Sequence, residues 1–212
     1  MPHPILRSLA CLALLLAAGV ARGGQYNAVV DLGASMPAFN ALPATDGSKL
    51  SSTDLTEEVV VLVFLANHCP WVKGMDRDVV AFTEEMKGKD VRVVGVSVNR
   101  REDDRLPAMQ EHAAKAGYNF SYVYDESQEL GRALGATRTP EFFVFDGSRK
   151  LVYMGLIHDS PAQMRQDGSI HYTEGDPETF YLRDAVTATL DGQPVPAAET
   201  RAHGCSVEYA AQ

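Results

Sequence analysis

The chain has 212 residues, 28 of them acidic and 19 basic, for a net charge of −9 at neutral pH. Its length suits one domain with a sizeable core. The acidic balance excludes recognition led by nucleic-acid phosphates or by anionic membrane surfaces, so neither is expected as a partner.

The first residues read as a secretory signal peptide over 1–23. Arg7 supplies the positive flank, Leu9 to Val20 the apolar stretch, and Ala21-Arg22-Gly23 the small residues for cleavage. The apolar stretch falls short of the roughly 20 residues that span a bilayer. No second one is long enough, so no membrane span is expected once the leader is removed. Of three cysteines, Cys11 leaves with the leader. Cys69 and Cys205 remain, an even pair in a chain sent to an oxidising compartment, periplasmic or secreted.

Beyond a loosely ordered lead-in, Gln25 to Ser35, the turn signal Asp46-Gly47 separates Ala38–Leu42 from Lys49-Leu50 and predicts a small hairpin. Val59 to Leu65 is apolar without alternation, the pattern of a strand covered on both faces, and Val91 to Val98 repeats it. Between them Val72, Met75, Val79, Phe82 and Met86 recur at helical spacing up to Gly88. Two parallel strands joined by a helix form a right-handed crossover. Leu106, Met109, Ala113 and Ala116 mark a second helix ended by Gly117, Phe120–Tyr124 a strand, and Ser127–Leu134 a short helix. Glu141–Phe145, Asp146-Gly147 and Lys150–Met154 predict an antiparallel hairpin. Ile157–Gly175 reads as a long loop or insertion. Asp176-Pro177 offers a cap and a first-turn proline for a last helix carrying Leu182, Val186 and Leu190.

Chemistry concentrates at Asn67-His68-Cys69-Pro70-Trp71-Val72, where the first buried strand gives way to a helix. The unpaired amides and dipole at a helix N-terminus favour an anion, so the position suits a thiolate. His68 stands beside it and Lys73 one turn on.

The order of elements, with Cys-Pro at a helix start and Thr139-Pro140 before a hairpin, resembles a thioredoxin-like α/β fold: a central mixed sheet flanked by helices, with an N-terminal hairpin extension and a C-terminal tail. Pro37-Ala38-Phe39, Asp46-Gly47-Ser48-Lys49, Thr53-Asp54-Leu55 and Thr139 to Gly147 are similar to the alkyl hydroperoxide reductase and thiol-specific antioxidant branch, the redoxins or peroxiredoxins. Tyr181 to Val186, Asp191 to Val195 and Gly204-Cys205-Ser206 resemble the ending of secreted redoxins with a lone Cys-Pro cysteine and a late Gly-Cys. On this reading residues 36–192 form the domain and 193–212 the tail. Two positions depart from the pattern. Leu62 and Ala66 stand where peroxiredoxins proper carry proline and threonine, and Val72 stands where thioredoxins proper carry a second cysteine.

The resemblance implies an exported thiol oxidoreductase with antioxidant or disulfide-exchange activity. Cys69 is then the nucleophile toward a peroxide or a disulfide, and Pro140 a cis-proline facing it, with the Thr139 backbone open to an extended substrate. With Val72 in the local position, Cys205 is the remaining resolving thiol. No nucleotide loop or flavin fingerprint occurs, so no cofactor is expected and reducing equivalents come from a thiol partner. Two alternatives stand beside this reading. One is a binding module with a permanent Cys69–Cys205 disulfide, rated at about 4–5 kcal/mol by chain entropy. The other is a metal site using Cys69 with His68, His158, His171 or His203.

Overall fold

A computed structural model describes residues 23–211, so the proposed leader lies, Gly23 apart, outside the described residues. The Asp46-Gly47 turn closes the expected hairpin, in which β1 (Leu42–Pro43) pairs antiparallel with β2 (Lys49–Leu50). β3 (Val59–Phe64) follows, then α1 (Pro70–Glu85) and β4 (Val91–Ser97), parallel to β3 as a crossover requires. α2 (Leu106–Ala116) stops at Gly117, which takes the left-handed conformation with φ +72°. β5 (Ser121–Tyr124) adds to β4, α3 (Glu129–Leu134) follows, and the two-residue β6 (Arg138–Thr139) precedes the hairpin β7 (Glu141–Phe145) and β8 (Leu151–Gly155). The main sheet runs β5-β4-β3-β7-β8, with β7 antiparallel to β3.

Every residue of β3 is sealed on both faces, which explains its unbroken apolar sequence. Val59, Val61 and Val63 face a core shared with Met75, Val79 and Phe82 of α1, Met109 of α2, and Leu182 and Val186 further on. Val60, Leu62 and Phe64 face Leu130 and Leu134 of α3 and the N-terminal Leu50 and Leu55. The central mixed sheet flanked by helices is thus present as expected, and no helix among the described residues is long and apolar enough to cross a membrane.

Three stretches differ from the sequence reading. Residues 25–35 are tied down: the buried Asn27 donates through Nδ2 to Leu134 O at 2.8 Å, and its Oδ1 accepts from Val29 N at 2.8 Å and Val30 N at 3.1 Å. The 157–175 stretch contains an antiparallel pair, β9 (Ala162–Met164) and β10 (Ile170–Tyr172), laid against α1. The last helix, α4 (Tyr181–Leu190), starts later than Asp176-Pro177 implies. The amides of Glu178 and Thr179 are instead taken by the Asp159 carboxylate, at 3.1 and 2.9 Å, which holds this approach as a loop. The chain closes with β11 (Cys205–Ser206), paired antiparallel with β6.

The insertion explains a glycine in the middle of a helix. A Cβ on Gly74 would fall 2.4 Å from Ala162 O and 2.6 Å from its carbonyl carbon, so backbone meets backbone there. Gly74→Ala is expected to lower stability by about 1–2 kcal/mol net, overpacking outweighing the gain in helix propensity. In a thermal melt this appears as a fall of about 2–8 °C, whereas an alanine tolerated by the hairpin would raise Tm.

Candidate functional site

Cys69 is the N-cap of α1, with Pro70 in the first turn. Its amide donates to Ala66 O at 3.0 Å, and its carbonyl accepts from Lys73 N at 3.1 Å, opening the helical ladder. The side chain is completely buried. Its thiol donates to Thr139 O at 3.2 Å, across the step where Thr139–Pro140 is cis. The nucleophile predicted from sequence and Pro140 therefore lie on the same end of the sheet.

That loop is braced from behind by a residue the sequence reading passed over. Glu141, 5% exposed, accepts from the amides of Thr137 and Arg138 at 2.7 and 3.0 Å through one oxygen. Burial raises its pKa, opposed by those two bonds. The only sequence hint was a carboxylate directly after Thr-Pro at the start of an apolar strand.

A second brace holds the turn before Cys69. The buried Asp104 accepts from His68 N at 3.1 Å and Asn99 Nδ2 at 3.0 Å, and pairs with His68 Nδ1 at 2.5 Å. Asn67 joins the same frame, donating to Asp103 O at 2.8 Å and accepting from Tyr122 OH at 3.1 Å. In sequence Asp104 sits within the run of charged residues Arg100 to Arg105, which carries no periodic signal.

The tail reaches the site from the far end of the chain. Cys205 stands opposite Thr139 and Ser206 opposite Arg138 in the β6–β11 register. Arg138 donates to Ser206 Oγ at 2.6 Å, so its guanidinium fastens the tail. Val207 N donates to Thr137 O at 3.0 Å. Beyond the strand Gln128 holds the last residues through both ends of its amide, donating to Glu208 O at 2.9 Å and accepting from Ala210 N at 2.8 Å. Arg132 lies 4.6 Å from the Tyr209 ring centre. Trp71 packs edge-on against His203, ring centres 4.2 Å apart, so it meets the tail. Gly204 allows the closest approach: a Cβ there would fall 2.1 Å from Thr139 O, at φ +152°.

Cys205 lies against Cys69, and both are free thiols. Burial, and then the neighbouring Cys69 sulfur, push the Cys205 thiol up to about 12. The expected pair is thus brought together. The other histidines do not join it: among the described residues, only His68, Asp103 and Asp104 gather three possible ligand atoms. His158 faces Asp78 at 3.2 Å and His203 packs on Trp71, so the Cys/His metal set considered from sequence does not converge.

A mixed sheet whose central strand runs to a cysteine at a helix start, opposite a cis Thr-Pro loop, defines a thioredoxin-like protein. The chain belongs to the Redoxin family, whose model matches residues 31–168. It is similar to an uncharacterized conserved protein from Geobacillus kaustophilus, at 33% identity and a TM-score of 0.75, covering 86% of this chain and 94% of the other. A hypothetical protein from Sinorhizobium meliloti aligns at 26% identity and a TM-score of 0.75, covering 86% and 97%. A thiol:disulfide interchange protein from Chlorobium tepidum shares the fold at 20% identity and a TM-score of 0.54, over 76% and 98%. No curated protein matches the chain.

Two outcomes follow from the tail contact. Because the Cys205 thiol is raised from its ordinary 9.0 to about 12, the folded form holds that proton more tightly than the unfolded form does. The resulting stability is fully present below about pH 9 and is lost as pH climbs toward 12. Urea melts of Cys205→Ser are expected to fall less steeply over that window than those of the parent. Gly204→Ala is expected to dislodge the tail and raise maleimide labelling of Cys69, mapped by mass spectrometry, about tenfold or more. An unchanged rate would show that the tail does not shield the sulfur.

Proposed function

We propose that the protein is an exported thiol oxidoreductase that cycles between the dithiol form and a Cys69–Cys205 disulfide. The leader over 1–23 is removed, residues 36–192 act as the redoxin domain, and the 193–212 tail supplies the resolving cysteine. One observation carries this reading: two cysteines distant in sequence lie against each other across Thr139, one at a helix N-terminus.

Cys69 loses its proton and attacks. On a peroxide, the sulfur bonds to one oxygen as the O–O bond breaks, leaving a sulfenic acid and an alcohol or water that keeps the proton. On a disulfide, the new S–S bond forms as the old one breaks and a thiolate departs. Cys205 then attacks the Cys69 sulfur, expelling water or the second thiolate. An external thiol reductant reopens the bridge. No residue from 203 to 211 is fully buried, so the tail opens by breaking polar contacts and the partial packing of Cys205, Val207 and Tyr209, without dissolving the core.

Cys69→Ser is expected to abolish both peroxide consumption and disulfide reduction with a thiol donor, a loss of at least about 10³-fold. Cys205→Ser retains one round of oxidation and then stops, with Cys69 trapped as sulfenic acid or mixed disulfide. Mass mapping after mild oxidation of the parent should find Cys69 bonded to Cys205; two free thiols would remove the cycle.

A further inference from the structure

We propose that the Thr139 hydroxyl is the hydrogen-bond donor for the oxygen that departs when Cys69 attacks, which makes a small hydroperoxide the substrate of this site. The inference rests on Cys69 being the nucleophile. Thr139 is 1% exposed, and its hydroxyl oxygen has no hydrogen-bond partner among the described residues. Leaving such a group unpaired costs about 1–3 kcal/mol, and valine would fill the same space without that cost. A hydroxyl kept at such cost points to a ligand that uses it.

Its place says which ligand. Thr139 already touches the nucleophile, since its carbonyl accepts the Cys69 thiol proton at 3.2 Å. Cys205 is its directly opposed cross-strand partner, and opposed residues of an antiparallel pair present their side chains to the same face. The hydroxyl thus shares a face with the Cys205 thiol that lies against Cys69. Ala66 to Lys73, the turns on either side of Cys69, carry no hydroxyl of their own.

The surroundings favour a small substrate over a polypeptide disulfide. The Arg138–Thr139 edge that an extended peptide would need is filled by the chain's own Cys205 and Ser206. A molecule a few atoms across needs only a slight opening of that strand to reach the buried sulfur, whereas an extended peptide needs the whole pairing displaced. In the step itself the Cys69 thiolate bonds to the terminal oxygen of R–O–O–H while the O–O bond breaks. Negative charge develops on the departing RO oxygen, which the Thr139 O–H stabilises by a hydrogen bond. That oxygen finally takes the proton that Cys69 gave up, leaving Cys69 as sulfenic acid and releasing ROH. A preorganised donor aimed at developing charge is worth about 10²–10³ in rate.

Trp71 is the one tryptophan of the chain, two residues from Cys69 and against the tail, so its fluorescence reports the reaction. Reduced full-length protein is mixed with hydrogen peroxide and, separately, with a small aromatic disulfide. Thr139→Val is expected to slow the peroxide reaction about 100-fold while changing the disulfide reaction less than about threefold. Thr139→Ser should restore the peroxide rate to within about tenfold of the parent. The melting temperature of Thr139→Val should stay level or rise, because an unpaired hydroxyl has been removed. Equal loss in both reactions, a lowered melting temperature, or an unchanged peroxide rate would each overturn the proposal. A parent protein that reacts with the disulfide but not with peroxide defeats this inference and leaves the thiol cycle standing; one inert to both defeats the cycle as well.

Discussion

The site depends on the antiparallel pairing of β3 with β7. Their register sets Phe64 opposite Glu141, so the strand that leads to Cys69 ends where the strand that follows Pro140 begins. A nucleophile attached to the first and a proline loop attached to the second are thereby delivered to one edge of the sheet. The pairing is secured by burial: Val60 to Phe64 and Phe142 to Phe145 are all sealed, and Phe64 packs edge-on against Phe143, ring centres 5.6 Å apart. Phe82 and Met75 press α1 onto the same strand, which holds the helix start in place. The 3.2 Å contact between the Cys69 thiol and Thr139 O is the local expression of that distant packing.

The parts of this arrangement legible in sequence are those whose signal is local and repeated. The apolar run of β3 and the helical spacing of Val72, Met75, Val79 and Phe82 each state their environment several times over. The Cys-Pro and Thr-Pro steps and the Asp146-Gly147 turn are local too. What escaped was decided by partners far along the chain. β9 and β10 have three residues each and stand because α1 offers Gly74 to one side of them. α4 begins late because Asp159 claims the amides that Asp176 was expected to serve. Asp104 stands in a run of charges without periodic signal, and only the fold turns it inward onto His68 and Asn99.

The tail shows the same limit in another form. Gly204-Cys205-Ser206 was visible as chemistry, but its course was not, since it is held by Arg138, Gln128, Arg132 and the Thr137 carbonyl, with Cys205, Val207 and Tyr209 only partly buried against the core. Its alternation, Cys205, Val207 and Tyr209 inward and Ser206 and Glu208 outward, names a strand but not the partner it pairs with. Partial burial also leaves the strand weakly committed, because its apolar contacts are incomplete and its polar contacts at the surface exchange with water at small net cost.

That weak commitment bears on a tension in the site. A nucleophile must be reached, yet the Cys69 sulfur is completely enclosed. If the enclosure were core packing, opening it would mean unfolding; here the cover includes a short surface strand whose own residues are only partly buried. The cover also carries Cys205. In the proposed cycle, the movement that hides Cys69 is therefore the movement that presents the resolving thiol, and the disulfide forms most readily when the tail is seated. A raised Cys205 thiol fits that order of events: kept protonated beside Cys69, it does not compete as a nucleophile before Cys69 has reacted.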